Sequence, residues 1–231
     1  MEVFIKLEQS DALLTLDRLG IVFAVCLGAL LLYLGGSMGI FFLAGMIWFL
    51  VISTIVTVTG KERKMKLKLY QEARGWRNVV ANGLIPLVVV ALYAFDQGSH
   101  FISPAILVVS YVASVAAVAA DKFGSELGVL GRSRPITLLT LKPSKIGVSG
   151  GVTLMGVLAG VVGAALISLM LVGYGNYPFY MTIVIISGLV GTLVDSVFGY
   201  FEEKGVGNKF TSNLMGGLAG CLLCMLVLIY I

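Results

Sequence analysis

Asp121, Ser125 and Glu126 fall close together in the stretch A-A-D-K-F-G-S-E-L-G. Carboxylates are hard oxygen ligands of the kind that hold Mg²⁺. On a regular helix Asp121 and Ser125, four apart, share a face, whereas Glu126 points away. The two acids therefore converge only if the chain unwinds, with Gly124 as the place to do so. The same spacing also fits interfacial acids paired with Lys122 or Arg132. Asp195 adds a third carboxylate within V-G-T-L-V-D-S-V-F-G-Y, inside the last turns of an apolar run and ahead of Glu202 and Glu203. An ionisable group at membrane depth costs a few kcal/mol, about 2.5–3.5 on translocon scales, and marks a functional site by default. Its plainer alternative is a helix-end acid that reaches the interface.

Two further stretches are suited to an anion. K-I-G-V-S-G-G-V-T, residues 145–153, leads into an apolar span with Lys142 and Lys145 beside it. Free N–H groups at a helix start bind phosphate, so the amides of Ser149, Gly150 and Gly151 are candidates for a cradle; a flexible turn fits as well. The spacing is not that of a Walker A loop. In G-W-R-N-V-V-A-N-G, Asn78 and Asn82 lie four apart beside Arg77. They read as ligand contacts, or as caps and interhelical hydrogen bonds. Three or more carboxylates, several cations and a glycine-rich helix start suit a magnesium-bound polyphosphate. Phosphoryl transfer asks mainly for positioning and charge stabilisation, and no catalytic His or Cys is required if the nucleophile is itself an ionised phosphate.

The elements that must position these groups are membrane spans. Apolar residues make up 58% of the chain and charged ones 12%, against about 25% charged in soluble domains; mean hydropathy is +1.01. A bilayer core about 30 Å thick needs roughly 20 apolar residues per helix. Seven stretches qualify: 19–34, 39–58, 79–95, 101–120, 152–172, 180–200 and 212–231. The first is short and the third contains Pro86, which makes these two the candidates for tilting, kinking or re-entry. The expected fold is all-α, a polytopic membrane bundle of about seven helices forming one domain over residues 1–231. Twenty-nine glycines suit close helix packing.

Charge alternates between the connections. Those at 35–38, 96–100 and 173–179 are short and nearly uncharged, whereas all sixteen Lys and Arg lie in the N-terminal segment or in loops 60–78, 121–151 and 201–211. The positive-inside rule puts these charged loops, the N-terminus and hence the active face in the cytoplasm, and predicts an integral, multi-pass protein of the cell membrane. The N-terminal segment carries acids and does not read as a cleaved signal peptide. The pI near 9.0 reflects topology, and no nucleic-acid partner is expected. Lys61 to Lys68 also fits a fringe that holds anionic lipid headgroups. Cys221 and Cys224 form a C-x-x-C inside an apolar run, with no further Cys or His nearby to make a zinc site; with Cys26 they read as packing residues. His100 lies on the far side, away from the acids.

These same stretches resemble an integral membrane family that includes the phytyl-phosphate kinase of plant vitamin E synthesis and many archaeal and bacterial proteins without assigned roles. The resemblance runs from Leu16 onward, through T-L-D-R-L-G, the K-E-R-K … G-W-R-N-V-V-A-N-G-L-I-P segment, A-A-D-K-F-G-S-E-L-G-V-L, L-K-P-S-K-I-G-V-S-G-G-V-T-L-M-G and G-T-L-V-D-S-V-F-G. This chain has Lys122 where members often carry Thr, and G-N-K-F-T-S-N-L where many have an acidic entry to the last span; Asn213 is retained. The resemblance implies phosphoryl transfer from a nucleoside triphosphate, CTP first, to an isoprenyl monophosphate. Asp121, Glu126 and Asp195 would then hold Mg²⁺, with Lys142 as a further catalytic residue. Arg77, Asn78, Asn82, Ser125, Lys145, Ser149, Gly150, Gly151 and Asn213 would bind substrate and phosphate, and the prenyl tail would lie among the helices. A secondary transporter of a small or anionic solute and a transferase forming CDP-lipids are the alternatives.

Overall fold

The computed structural model describes residues 15–71, 73–98 and 101–231. His100 and most of the N-terminal segment lie outside them. Among the described residues there are seven long α-helices and one short one: α1 (Arg18–Gly35), α2 (Gly39–Val58), the short α3 (Lys61–Lys66), α4 (Trp76–Asp96), α5 (Pro104–Gly128), α6 (Leu154–Ser168), α7 (Tyr177–Glu202) and α8 (Lys209–Tyr230). Six helical stretches are long and apolar enough to cross a membrane, the first being Arg18–Val58. Those 41 residues would run about 61 Å as one straight helix at 1.5 Å per residue, twice the hydrocarbon thickness. They fold back instead at Gly36–Met38, so that Gly28 lies against Leu43 and Gly35 against Phe42. The stretch is a hairpin of two spans, which makes seven spans among the described residues, as the hydropathy pattern predicts.

Local chemistry accounts for several helix starts. The Asp17 carboxylate accepts from the Gly20 N–H at 2.6 Å and caps α1. The Thr153 hydroxyl accepts from the Gly156 N–H at 2.9 Å and caps α6, and Asn208 with Thr211 forms a capping box at α8. Pro104 opens α5, where its missing N–H costs nothing. Pro86 does not break α4, which is one continuous helix, and α1 is not re-entrant.

Helix α5 is the axis of the molecule. It packs against α2, α4, α6, α7 and α8, and every residue from Leu107 to Ala120 is buried. Small residues permit this crowding: the carbonyl of Gly156 sits 3.1 Å from where a Gly124 side chain would begin, and the reciprocal distance is 3.0 Å. Gly124 is thus a packing residue, not a point of unwinding. The chain stays helical through Gly128, so the expected end of the fourth span at residue 120 and the start of a loop at 121 are corrected. Likewise α7 extends to Glu202, shortening the last charged loop. Polar residues here read as loop, yet they remain helical because they face a polar cavity and not lipid.

The remaining loop, between α5 and α6, folds back on itself. Ile136 pairs with Val152 and Thr137 with Gly151 in a two-residue antiparallel ladder. Gly150, at φ +78°, lies so close to α7 that a Cβ would meet the Ser196 carbonyl at 2.5 Å and the Tyr200 nitrogen at 2.6 Å. The glycine-rich segment is a lid seated on α7.

Candidate functional site

One cavity of about 480 Å³ opens at the charged end of the bundle, among the ends of α4, α5, α7 and α8 and the glycine-rich loop. It collects Asn78, Asn82, Asp121, Ser125, Glu126, Ser149, Gly150, Gly151, Asp195 and Asn213, which is most of the site expected from sequence. It also collects four cations that sequence reasoning did not assign to the site: Lys64, Arg74, Lys122 and Lys209.

The charges segregate into two poles. At the first, Glu126 is surrounded by cations. Lys64 lies 2.7 Å from its carboxylate, Arg74 3.7 Å, and Lys122, one turn earlier on α5, forms a close ion pair with it. Thr57 donates to the same carboxylate at 3.2 Å and accepts from Arg74. Lys64 is fully buried and its ammonium also donates to the carbonyls of Val56 and Thr57, both at 2.9 Å. Those carbonyls end α2, where a cation is favoured by the helix dipole. Burial lowers the affinity of the Arg74 guanidinium for its proton, and Glu126 and Asp121 oppose that shift. Three cations around one carboxylate leave an excess of buried positive charge, which suits an anion of two or more charges.

At the second pole the balance reverses. Asp195 is buried and accepts from Lys209 at 3.1 Å, and the same ammonium stands 3.9 Å from Asp121. Two carboxylates thus share one lysine. The second oxygen of Asp195 and the side-chain oxygen of Asn213 are buried without a hydrogen-bond partner. Buried polar atoms are seldom left so, and unpaired hard oxygens beside Asp121 fit a cation such as Mg²⁺. A chain of amides links this pole to α4: Asn213 donates to Asn82 at 3.1 Å, and Asn82 donates to Asn78 at 3.2 Å.

Three expectations are corrected. Asp121, Glu126 and Asp195 do not form one metal-binding triad; among the described residues no three such groups converge, because Glu126 is turned to Lys64, Arg74 and Lys122. The amides of the glycine-rich loop do not form an open cradle. The Ser149 N–H donates to the carboxylate of Glu203 at 2.9 Å, and the Gly151 N–H donates to the Val148 carbonyl at 3.2 Å. Finally, Arg77, Lys142 and Lys145 are exposed and absent from the cavity wall; the Arg77 guanidinium lies 5.5 Å from the centre of the Trp76 ring. Ser125 stays at the mouth, its hydroxyl donating to the Lys122 carbonyl at 3.2 Å.

Arg74 owes its position to the segment before α1. Leu16 and Arg74 form a parallel bridge, with the Arg74 N–H donating to Thr15 at 2.9 Å and the Asp17 N–H donating to the Arg74 carbonyl at 3.2 Å. Two stretches far apart in sequence, T-L-D-R-L-G and A-R-G-W-R-N, therefore act as one unit. Of the four missed cations, only Lys122 had a local signal, its four-residue spacing from Glu126.

Relatives exist in an archaeon and a plant. An uncharacterised membrane protein of Methanocaldococcus jannaschii is 32% identical over 220 residues, covering 92% of this chain and 85% of that protein. Protein PGR of Arabidopsis thaliana is 27% identical over 175 residues, 65% of this chain and 60% of its own length. No solved structure matches. The profile of the family described as "Integral membrane protein DUF92" matches residues 10–223, and with that coverage the chain belongs to this integral membrane family.

Proposed function

We propose that the protein is an isoprenyl-monophosphate kinase, moving a phosphoryl group from a nucleoside triphosphate to an isoprenyl or phytyl monophosphate. The observation that carries this reading is the separation of charge within one cavity: Lys64, Arg74 and Lys122 about Glu126 on one side, Asp121 and Asp195 about Lys209 on the other. An ionised oxygen of the acceptor phosphate attacks the terminal phosphorus of the donor. A new P–O bond forms, the bridging P–O bond breaks, and the nucleoside diphosphate leaves with the bond electrons. The attacking oxygen carries no proton, so no general base is needed.

Lys64, Arg74 and Lys122 neutralise phosphate oxygens and hold the two anions together, work that sequence alone assigned to Arg77, Lys142 and Lys145. Glu126 positions those cations. Asp121, Asp195 and Asn213 are the residues that would hold Mg²⁺, which supplies neutralisation of the donor phosphates. Asn78 and Asn82 orient the acceptor from α4.

The test is a product assay: purified protein in lipid nanodiscs with geranylgeranyl or phytyl phosphate, Mg²⁺ and each nucleoside triphosphate, read by mass. The expected products are the isoprenyl diphosphate and a nucleoside diphosphate. Release of pyrophosphate with a CDP-lipid would replace this reading by the transferase alternative, and absence of turnover with every donor would remove it.

A further inference from the structure

A second, smaller cavity of about 90 Å³ adjoins the first, between α1, α2 and α4. Arg74, Asn78 and Asn82 line both, so they stand at the junction. Beyond them the wall is hydrocarbon, with Ala24 and Leu27 from α1 facing Leu43, Met46 and Leu50 from α2. Ser53 is the one polar residue of α2 in this wall, and its hydroxyl is already donated to the Leu50 carbonyl at 3.0 Å. The slot therefore offers an occupant no free hydrogen-bond donor away from the junction.

Packing explains why the space exists. Helix α1 lies against both α2 and α4, and α2 lies against α5, but α2 and α4 share no extended interface among the described residues. The gap follows α2 from Ser53 back to Leu43, about 15 Å at 1.5 Å per residue. It thus leads from near the charged end past the middle of a hydrocarbon layer roughly 30 Å thick. Ile47, on its edge, is 51% exposed on the lipid-facing side of α2. A slot of this volume is small beside the roughly 300–1,000 Å³ of a whole-ligand pocket. It suits the first part of a chain whose remainder passes into the bilayer.

We infer that this slot receives the head-proximal hydrocarbon of a single-chain alkyl or isoprenyl phosphate, with Arg74, Asn78 and Asn82 marking the boundary between phosphate and tail. The inference rests on the proposed function for the phosphate's position, and on the continuity of the two cavities for the tail's. The acceptor thus enters sideways from the membrane between α2 and α4, while the nucleotide reaches the cavity from water. Ala24 and Met46 become residues that set which chains fit.

A photoreactive alkyl phosphate with a diazirine on one of its first tail carbons tests this on the full-length protein in nanodiscs. Adducts are expected on peptides containing Ala24 to Gly28 and Leu43 to Leu50. They should be competed by unlabelled dodecyl phosphate and not by dodecanol. Ala24→Phe and Met46→Phe, which fill the slot from opposite walls, should each reduce those adducts about tenfold, and melting curves identify a variant that has failed to fold. Adducts confined to α6–α8, equal labelling by a diazirine alcohol, undiminished labelling of both folded variants, or no adduct would overturn the inference. Labelling needs no turnover. Slot adducts without any kinase product would refute the proposed function and leave the tail site standing; turnover with adducts elsewhere would do the reverse.

Discussion

Glu126 and Asp195 are both acids in the same cavity, yet their surroundings assign them different work. Glu126 holds three cations, two of them nearly fully buried, so its loss strands buried positive charge. Removing one partner of such a set costs about 3–5 kcal/mol. Glu126→Gln should therefore lower the melting temperature of the detergent-solubilised protein clearly, with partial recovery in added phosphate, which replaces the missing charge. A wild-type melt would show that the cations do not depend on it. Asp195 has an unpartnered oxygen, and Lys209, its one ion-pair partner among the described residues, has a half-exposed side chain that water can solvate. Asp195→Asn should leave melting unchanged while reducing turnover about 10²–10³-fold, the usual scale for losing one charge-stabilising group. A loss of stability without a specific loss of turnover would make it a structural acid. Sequence identified Asp195 through its depth in an apolar run, Asp121 through its spacing from Ser125 and Glu126, and Asn213 through the family resemblance. It did not find Arg74 or Lys209, whose partners come from other helices and leave no mark in local spacing.

At the scale of elements, α5 carries groups for both poles: Asp121 toward Lys209, and Lys122 and Glu126 toward Lys64. A continuous helix separates these neighbours by direction, which is why unwinding at Gly124 is unnecessary. The spans were legible because each is a long apolar run. The extensions of α5 and α7 beyond them were not, since a helix facing a polar cavity has the composition of a loop. The contact of α5 with α6 is close enough at Gly124 and Gly156 that side chains cannot be interposed. Gly156→Leu should destabilise the protein by about 1–3 kcal/mol, as overpacking does, visible as a lower melting temperature with the charged residues untouched. An unchanged melt would mean that α6 yields freely.

For the whole molecule, α1, α4, α6 and α8 begin, and α2, α5 and α7 end, at the same charged face. This arrangement follows from an odd number of spans and was legible in the distribution of sixteen basic residues. If the face is cytoplasmic, cysteines placed at Lys66 and Lys204 should react with an impermeant maleimide only after cells are opened. Cysteines at Gly98 and Gly175 should react in intact cells. The opposite pattern would invert the orientation and put the nucleotide site on the wrong side of the membrane for cellular nucleotides.

The bridge between Leu16 and Arg74 has a mechanical meaning for such a protein. The backbone that carries a buried guanidinium of the anion pole is tied by hydrogen bonds to the stretch just ahead of the first span. Tension or leverage applied at that stretch, whether from a fused domain, an antibody or a neighbouring protein, is transmitted directly to Arg74 without passing through any helix. Thr15, Leu16 and Asp17 are a handle on the cavity's charge.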